Sequence, residues 1–208
     1  RGALSSFAAG GVVVEQPVVS FTLAPSGDAY AGRAEVTGTA SGQALQASSN
    51  VSIGDGAISL SNLDGQWAGL QAQGSAQFGE RGVSAALDVN GAIDGLVPGL
   101  SGRLAGDLAL SPDRLVLAAE IADARAGELR VRAATIRADG PLDAIATTFD
   151  MRGRLRQAPL TFAGTALINA TERSAQADGR GILADTPIFT RAPMTANWNN
   201  GKTEATIN

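Results

Sequence analysis

The chain has 208 residues and a net charge of −4, and it contains neither cysteine nor histidine. It has no basic stripe of the kind that nucleic-acid binding requires. Without cysteine or histidine, disulfide scaffolds, thiol chemistry, histidine-based triads and the usual zinc, haem and iron–sulfur ligand sets are excluded.

The apolar residues of this chain are unusual in type, because few of them are aromatic. Hydrophobic residues make up 44% of the chain, but aromatic residues make up only 4%, and there are 26 glycines. Large aromatic side chains dominate the burial energy of most cores. A chain that buries small side chains instead is better suited to a thin, extended structure than to a compact one.

Alternation of apolar and polar residues starts early and dominates the chain. Side chains of a strand point to opposite faces at successive residues, so positions i, i+2 and i+4 share a face. The pattern predicts strands in four early segments, spanning residues 19–23, 30–36, 45–53 and 58–60.

The clearest alternation follows. Leu70 to Phe78 places apolar or small residues against Gln71, Gln73 and Gln77, and the segment 79–82 is a turn by composition. The next strand runs from Val83 to Ile93.

The central third continues in the same way. Strands are predicted over 100–110, 115–121 and 129–133, with turns at 111–114 and 126–128. After Ala133 the apolar positions slip by one, to Ile136 and Ala138, and this slip predicts a β-bulge. A helix over 115–132 is the competing interpretation, because the segment is rich in Leu, Ala, Glu and Arg, but its apolar positions fit period two better.

The last third has turns predicted at 139–142 and 157–159 and strands over 145–155 and 160–168. The alternation weakens afterwards, through Gly179 to Leu183 and Met194 to Trp198. The total is about twelve to fourteen strands, mostly about 8–12 residues long, joined as hairpins of an antiparallel meander.

Each predicted strand has one polar and one apolar face. Antiparallel sheets can expose one face to water, and the apolar face must then meet something else. It meets a second sheet in a sandwich, or lines a groove in an open, curved meander. The residues alone leave both arrangements open.

The sequence gives little support for catalysis. Paired carboxylates could hydrolyse glycosides, but the available acids fit a solvated face or turns, and neither a nucleophile elbow nor a phosphate-binding loop is present. The candidates are Asp88, Asp94, Asp113, Glu120, Asp123 and Glu128. We therefore expect no enzyme activity, no catalytic residues, no metal and no cofactor.

Arginines form two clusters, at residues 130–132 and 152–156. They could contact anionic lipid headgroups. The competing interpretation, which the pattern favours, is a solvated outer face on which the arginines pair with acids of neighbouring strands.

Two segments carry a family resemblance. One is the turn-Gly-Pro-Leu-Asp-Ala phrase within residues 136–144, followed by an alternating strand over 145–155, and the other is the strand over 100–108. Together they resemble the bacterial AsmA-like superfamily of bridge proteins, in particular its TamB and YdbH types. The resemblance covers residues 45–183 and is weaker toward both ends.

The resemblance implies a fold and a function. Such proteins are anchored in the inner membrane by an N-terminal helix, and their periplasmic part is a curled, taco-like β-sheet with a hydrophobic groove. The groove is the proposed path of phospholipids toward the outer membrane, and TamB-type members also support outer-membrane protein assembly with a barrel partner. The expected location is therefore the periplasm of a Gram-negative cell.

These expectations combine into one prediction. Residues 1–208 form a single segment of a longer periplasmic protein, an elongated antiparallel meander curled into an open groove with an apolar interior. Its partners are phospholipid acyl chains and membranes reached through segments outside this chain, and the resemblance implies an outer-membrane barrel as a further partner. No nucleic acid is expected. The alternative is a structural or adhesive passenger, a β-solenoid or sandwich with a closed core. The predicted groove lining is Phe78, Leu87, Val89, Leu104, Leu108, Leu117, Ile121, Leu129, Val131, Phe149, Met151, Leu155, Leu160, Phe162 and Ile168.

Overall fold

The computed structural model describes the backbone of residues 2–3, 6–9, 12–94, 99–199 and 202–206, and the side chains of 14–94 and 99–198. Within these ranges the chain is all-β, with seventeen strands and no helix. The helix considered over 115–132 is replaced by two long strands, in agreement with the period-two interpretation.

The strands follow one another closely along the chain. The first six are β1 Gly2–Ala3, β2 Ser6–Ala9, β3 Val12–Ser26, β4 Ala29–Ala40, β5 Gln43–Gly54 and β6 Ala57–Trp67. The middle six are β7 Leu70–Gly79, β8 Gly82–Ala92, β9 Leu100–Leu110, β10 Arg114–Ala126, β11 Leu129–Pro141 and β12 Ile145–Leu155. The last five are β13 Ala158–Asn169, β14 Ser174–Leu183, β15 Thr186–Phe189, β16 Met194–Asn199 and β17 Lys202–Thr206.

The strands form a single antiparallel meander. From β3 to β14 each strand pairs with the next one in sequence. At one end β1 and β2 both pair with β3, and at the other β15 and β16 both pair with β14. No pairing among the described strands joins the two ends, so the sheet is not closed into a barrel.

Two predicted turns are misplaced. The turn expected at residues 157–159 lies at 156–157, because β13 already begins at Ala158. Residues 139–142 were expected to form a turn, but β11 continues to Pro141, with Gly140 opposite Leu115 and Pro141 opposite Arg114. The strand can continue because Gly140 has a φ of +153°, which a residue with a side chain rarely adopts, and the turn moves to the residues after Pro141.

Bulges interrupt the regular register at several strands. In β10 the register against β9 shifts between Ala122, which is opposite Arg103, and Arg125, which is opposite Ser101, and the φ of Asp123 in this interval is +53°. In β11 the register against β12 shifts between Val131 and Ala133, which confirms the bulge predicted from the slip in the sequence. Further shifts occur in β3 and β6. Each bulge bends its strand and increases the local twist.

Little of the molecule is enclosed. The solvent-accessible surface is 13708 Å², whereas a compact protein of 21.0 kDa would expose roughly 9,000 Å². Among the described side chains, no large one is less than 2% exposed. The sheet therefore has no second layer packed on it, and the fold is an open, curled meander rather than a sandwich with a closed core.

A candidate lipid-binding face

The apolar residues of successive strands lie directly opposite one another and form one continuous surface, which we call the inner face. One row crosses the middle of the sheet from β7 to β14. Its members are Gly74, Leu87, Leu108, Leu117, Ala138, Thr147, Ala166 and Ala177. Because directly opposed residues share a face, this row fixes which side of each strand is inner, and the opposite side is the outer face.

All fifteen predicted lining residues lie on the inner face. Their positions follow from the strand register, including the bulges of β10 and β11, which restore apolar residues to the inner side. Leu160 is buried, at 8% exposure, whereas Phe78 and Leu155 are exposed and the other twelve are half-buried. Partial exposure along the whole row is what an uncovered concave surface produces.

The inner face carries no charge from Leu70 to Ile168. Asp123 and Arg132, the charged residues at the bulges, are exposed. Thr147 is a polar exception. It is 7% exposed, and its hydroxyl has no hydrogen-bond partner among the described residues. A lipid tail lying on this surface would meet carbon nearly everywhere.

Phe149 and Phe162 form the main aromatic contact of the inner face. Their ring centroids are 6.0 Å apart and the rings are inclined by 24°. Each ring lies over glycines of the neighbouring strands. A Cβ added to Gly164 would come within 2.6 Å of Phe149 Cζ, and one added to Gly179 would come within 2.6 Å of Phe162 Cε1. Because these glycines have no side chain, the phenyl rings occupy the space where a Cβ would otherwise be.

A further row of large apolar residues adjoins the predicted lining, which included only one of its five members, Phe78. It follows one long rim of the inner face across β4 to β8, where each member lies opposite the next. Their exposures are 55% for Tyr30, 36% for Ile53, 42% for Ile58, 42% for Phe78 and 38% for Val83. The alternation of these strands is visible in the sequence, but the row needs the register of four strand pairs.

The opposite rim is better covered at its N-terminal end. The Trp67 indole on β6 reaches across β5, and its Nε1 donates a hydrogen bond of 2.9 Å to the carbonyl oxygen of Ala40 on β4. Ala40 is 1% exposed, the lowest value in the core. This rim therefore has a side-chain hydrogen bond next to a buried residue, whereas Tyr30 and Phe78 at the other rim are exposed.

Charged residues are concentrated on the outer face. The exposed acids considered for catalysis lie there or in turns, and two of them are in ion pairs: Asp123 with Arg103, and Glu128 with Arg156 at 2.7 Å. Asp139 accepts two hydrogen bonds from Arg114, and this pairing raises the pKa of the guanidinium. Of the two predicted arginine clusters, Arg156 pairs with Glu128, but both residues lie in turns, and Arg152 pairs with Asp150 of its own strand. The expected pairing with acids of neighbouring strands is therefore not found for the strand arginines of the clusters among the described residues.

Asp88 and Asp107 lie directly opposite each other on the outer faces of β8 and β9. The pKa of Asp107 is raised above 3.8, first by a hydrogen bond with Asp88, then by desolvation, and then by repulsion from the Asp88 charge. Within the described residues no group of three or more acids could hold a metal ion. Nor does that part of the chain contain a helix long and apolar enough to cross a membrane.

Comparison with known proteins gives no family. No family model, no curated protein and no solved structure matches the chain. The resemblance to the AsmA-like superfamily therefore stays a prediction from the sequence.

Proposed function

We propose that this chain is a segment of a periplasmic bridge that conducts phospholipids along its inner face from the inner toward the outer membrane. The observation that carries the proposal is an uncharged apolar face that runs unbroken across the sheet without a second layer over it. An ordinary core would be enclosed, and an ordinary surface would be polar. A half-exposed apolar surface of this length requires an occupant.

The chemistry of the face fits acyl chains. Each methylene removed from water contributes about 0.8 kcal/mol, and the face provides few fixed polar groups that would select one lipid over another. Binding that is favourable, unspecific and similar along the whole sheet suits a conduit, because a lipid held equally well at successive positions can move between them. On this proposal the chain performs no catalysis and needs no cofactor.

The anchoring helix and the membrane contacts belong to segments outside this chain, and a barrel partner in the outer membrane is the further expectation of the resemblance. The alternative is a structural or adhesive passenger. Such a protein would carry its function on the outer face and would bury its apolar face against itself or a neighbour.

The test is native mass spectrometry of the purified protein combined with lipid extraction of the same sample. We expect co-purified phospholipid that is reduced several-fold in the double variant Phe149→Asp, Phe162→Asp. The matched control is Thr148→Asp, Thr161→Asp, which places the same charges one residue away on the outer face. A folded, lipid-free wild-type monomer would overturn the conduit and move the passenger ahead.

A further inference from the structure

Three arginines of the outer face lie in one line across three strands. Arg125 of β10 is directly opposite Arg130 of β11, and Arg130 is directly opposite Arg154 of β12. All three are exposed. Directly opposed residues of an antiparallel pair have Cα atoms about 4.5–5.5 Å apart, so the row places three positive charges at intervals of one strand.

The acids of this region are already engaged. Asp123 is in an ion pair with Arg103, Glu128 with Arg156, and Asp150 with Arg152 at 3.6 Å. Among the described residues no ion pair involves Arg125, Arg130 or Arg154. Like charges directly opposite each other destabilise a sheet. The row is therefore a local concentration of positive charge on a chain whose net charge is −4. Nothing within the described fold compensates the row.

The arginines lie in a shallow, largely open depression of the surface. A depression of about 450 Å³ is lined by residues of β10 to β13, among them Asp123, Arg125, Arg130, Arg132, Arg152 and Arg154. The row is also next to the rim of the inner face, because Arg125 precedes Ala126, and Arg130 and Arg154 adjoin Leu129 and Leu155. Leu155 at that rim is 38% exposed.

We propose that the row Arg125–Arg130–Arg154 is a binding site for phosphate groups, filled in the working protein by phospholipid headgroups at the rim. A guanidinium presents its donors in a planar fork that matches a phosphate, and two neighbouring forks can hold one phosphate between them. The headgroup source rests on the proposed function, since the acyl chains would lie on the adjoining inner face. The phosphate chemistry itself does not depend on it.

The first experiment uses the wild-type protein and the triple variant Arg125→Gln, Arg130→Gln, Arg154→Gln. The matched control is Arg81→Gln, Arg137→Gln, Arg180→Gln, which removes the same charge elsewhere. Binding is measured for inorganic pyrophosphate by calorimetry and for vesicles of phosphatidylglycerol or phosphatidylcholine by co-sedimentation. We expect the row variant to lose at least tenfold in affinity for phosphate-bearing probes, and the control to stay within about threefold of wild type.

Vesicles and pyrophosphate together distinguish a phospholipid headgroup from a soluble phosphate compound as the group that the row binds. Preference for phosphatidylglycerol vesicles over pyrophosphate supports headgroup binding, and tight pyrophosphate binding without vesicle binding supports a soluble phosphate compound at the same site. Equal losses in both variants, or no binding of either probe by the wild type, overturn the proposal. Failure of the conduit is distinguishable, because it appears as a lipid-free wild-type protein, or as equal amounts of co-purified lipid in the wild type and in the Phe149 and Phe162 variant. Neither result depends on the affinity of the arginine row for pyrophosphate.

A second readout is stability without ligand. Removing the central charge in Arg130→Gln relieves two direct oppositions, so we expect a higher melting temperature than wild type at low salt and a smaller difference at high salt. Pyrophosphate should raise the melting temperature of the wild type but not that of the triple variant. A melting temperature that Arg130→Gln leaves unchanged or lowers at low salt would contradict an uncompensated row.

Discussion

Individual glycines set how closely neighbouring strands approach on the inner face. A Cβ at Gly164 would collide with the Asp178 carbonyl oxygen and would lie 2.6 Å from Phe149 Cζ. At Gly65, on the same face, the nearest atom would be 3.8 Å away, which is ordinary contact. The two positions have the same residue type on the same face but differ in the space available.

That difference predicts opposite results for one substitution. Gly164→Ala should lower the free energy of unfolding by roughly 1–3 kcal/mol, because the added methyl forces strand and ring apart. Gly65→Ala should be neutral or stabilising by up to about 1 kcal/mol, because it reduces the freedom of the unfolded chain. Urea denaturation of both variants measures the difference, and equal effects would show that the close packing at Gly164 does not exist in solution.

The opposed carboxylates Asp88 and Asp107 predict a pH dependence. Because the pKa of Asp107 is raised in the folded state, the folded chain binds this proton more tightly than the unfolded chain does. The stability from protonation is therefore fully present below pH 3.8 and is lost as the pH rises through the raised pKa.

Asp107→Asn removes this titration. The variant should be more stable than wild type at pH 7, and its advantage should shrink as the pH falls below 4, where Asp107 is protonated. Asp178→Asn is the control, since Asp178 lies opposite Thr165 rather than a second acid. Thermal melting of the three proteins between pH 3 and 8 checks this, and an advantage of Asp107→Asn that does not change with pH would contradict it.

At the scale of elements, the bulge of β10 keeps the inner face apolar. Asp123 is the extra residue, and it restores Ala124 to the inner side after Ala122 has faced outward with Arg103. Its φ of +53° is tolerated by Asp and Gly but is costly for a β-branched residue.

The stability cost of a substitution at Asp123 should therefore depend on the shape of the new side chain. Asp123→Gly should cost less than about 1 kcal/mol, because it loses only an exposed ion pair, whereas Asp123→Val should cost roughly 1–3 kcal/mol through backbone strain. Asp178→Val, in a regular strand, controls for the loss of charge. Equal unfolding free energies for the Gly and Val variants would show that this backbone conformation is not required.

Most strands were predictable because period two is a local property of the sequence. Strand β7, with three glutamines against Leu70 and Phe78, shows this most clearly, and the slip after Ala133 located one bulge. The turn placed at 139–142 was wrong because Gly-Pro is typical of turns, whereas pairing with β10 extends β11 through both residues.

The residues of the rim row and of the arginine row could be assigned to strands from the sequence, but their alignment across strands could not. Tyr30, Ile53 and Ile58 become neighbours only through the register of β4, β5 and β6. Arg130 was noted as a charged position on a strand, but its opposition to Arg125 and Arg154 depends on two hairpin registers and a bulge. Cross-strand register is a property of pairs of strands and cannot be obtained from alternation within each.

At the scale of the whole molecule, the open sheet predicts association. Monomeric soluble proteins rarely expose contiguous apolar patches above a few hundred Å², and the inner face crosses most of a seventeen-strand sheet. We expect the purified chain to dimerise in water or to carry bound detergent or lipid. Light scattering after size exclusion, with and without mild detergent, measures this, and a strictly monomeric protein without a bound amphiphile would contradict it.

An inner face that is open to an occupant must also be open to small reagents. Because the chain has no cysteine, single cysteines can be placed at Leu117 on the inner face and at Val116, its 42% exposed neighbour on the outer face. Labelling with a water-soluble maleimide measures access directly. We predict that both cysteines react in the folded protein and that added phospholipid slows only Leu117→Cys. A Leu117→Cys variant that reacts only after unfolding would show a closed core and would contradict an open inner face.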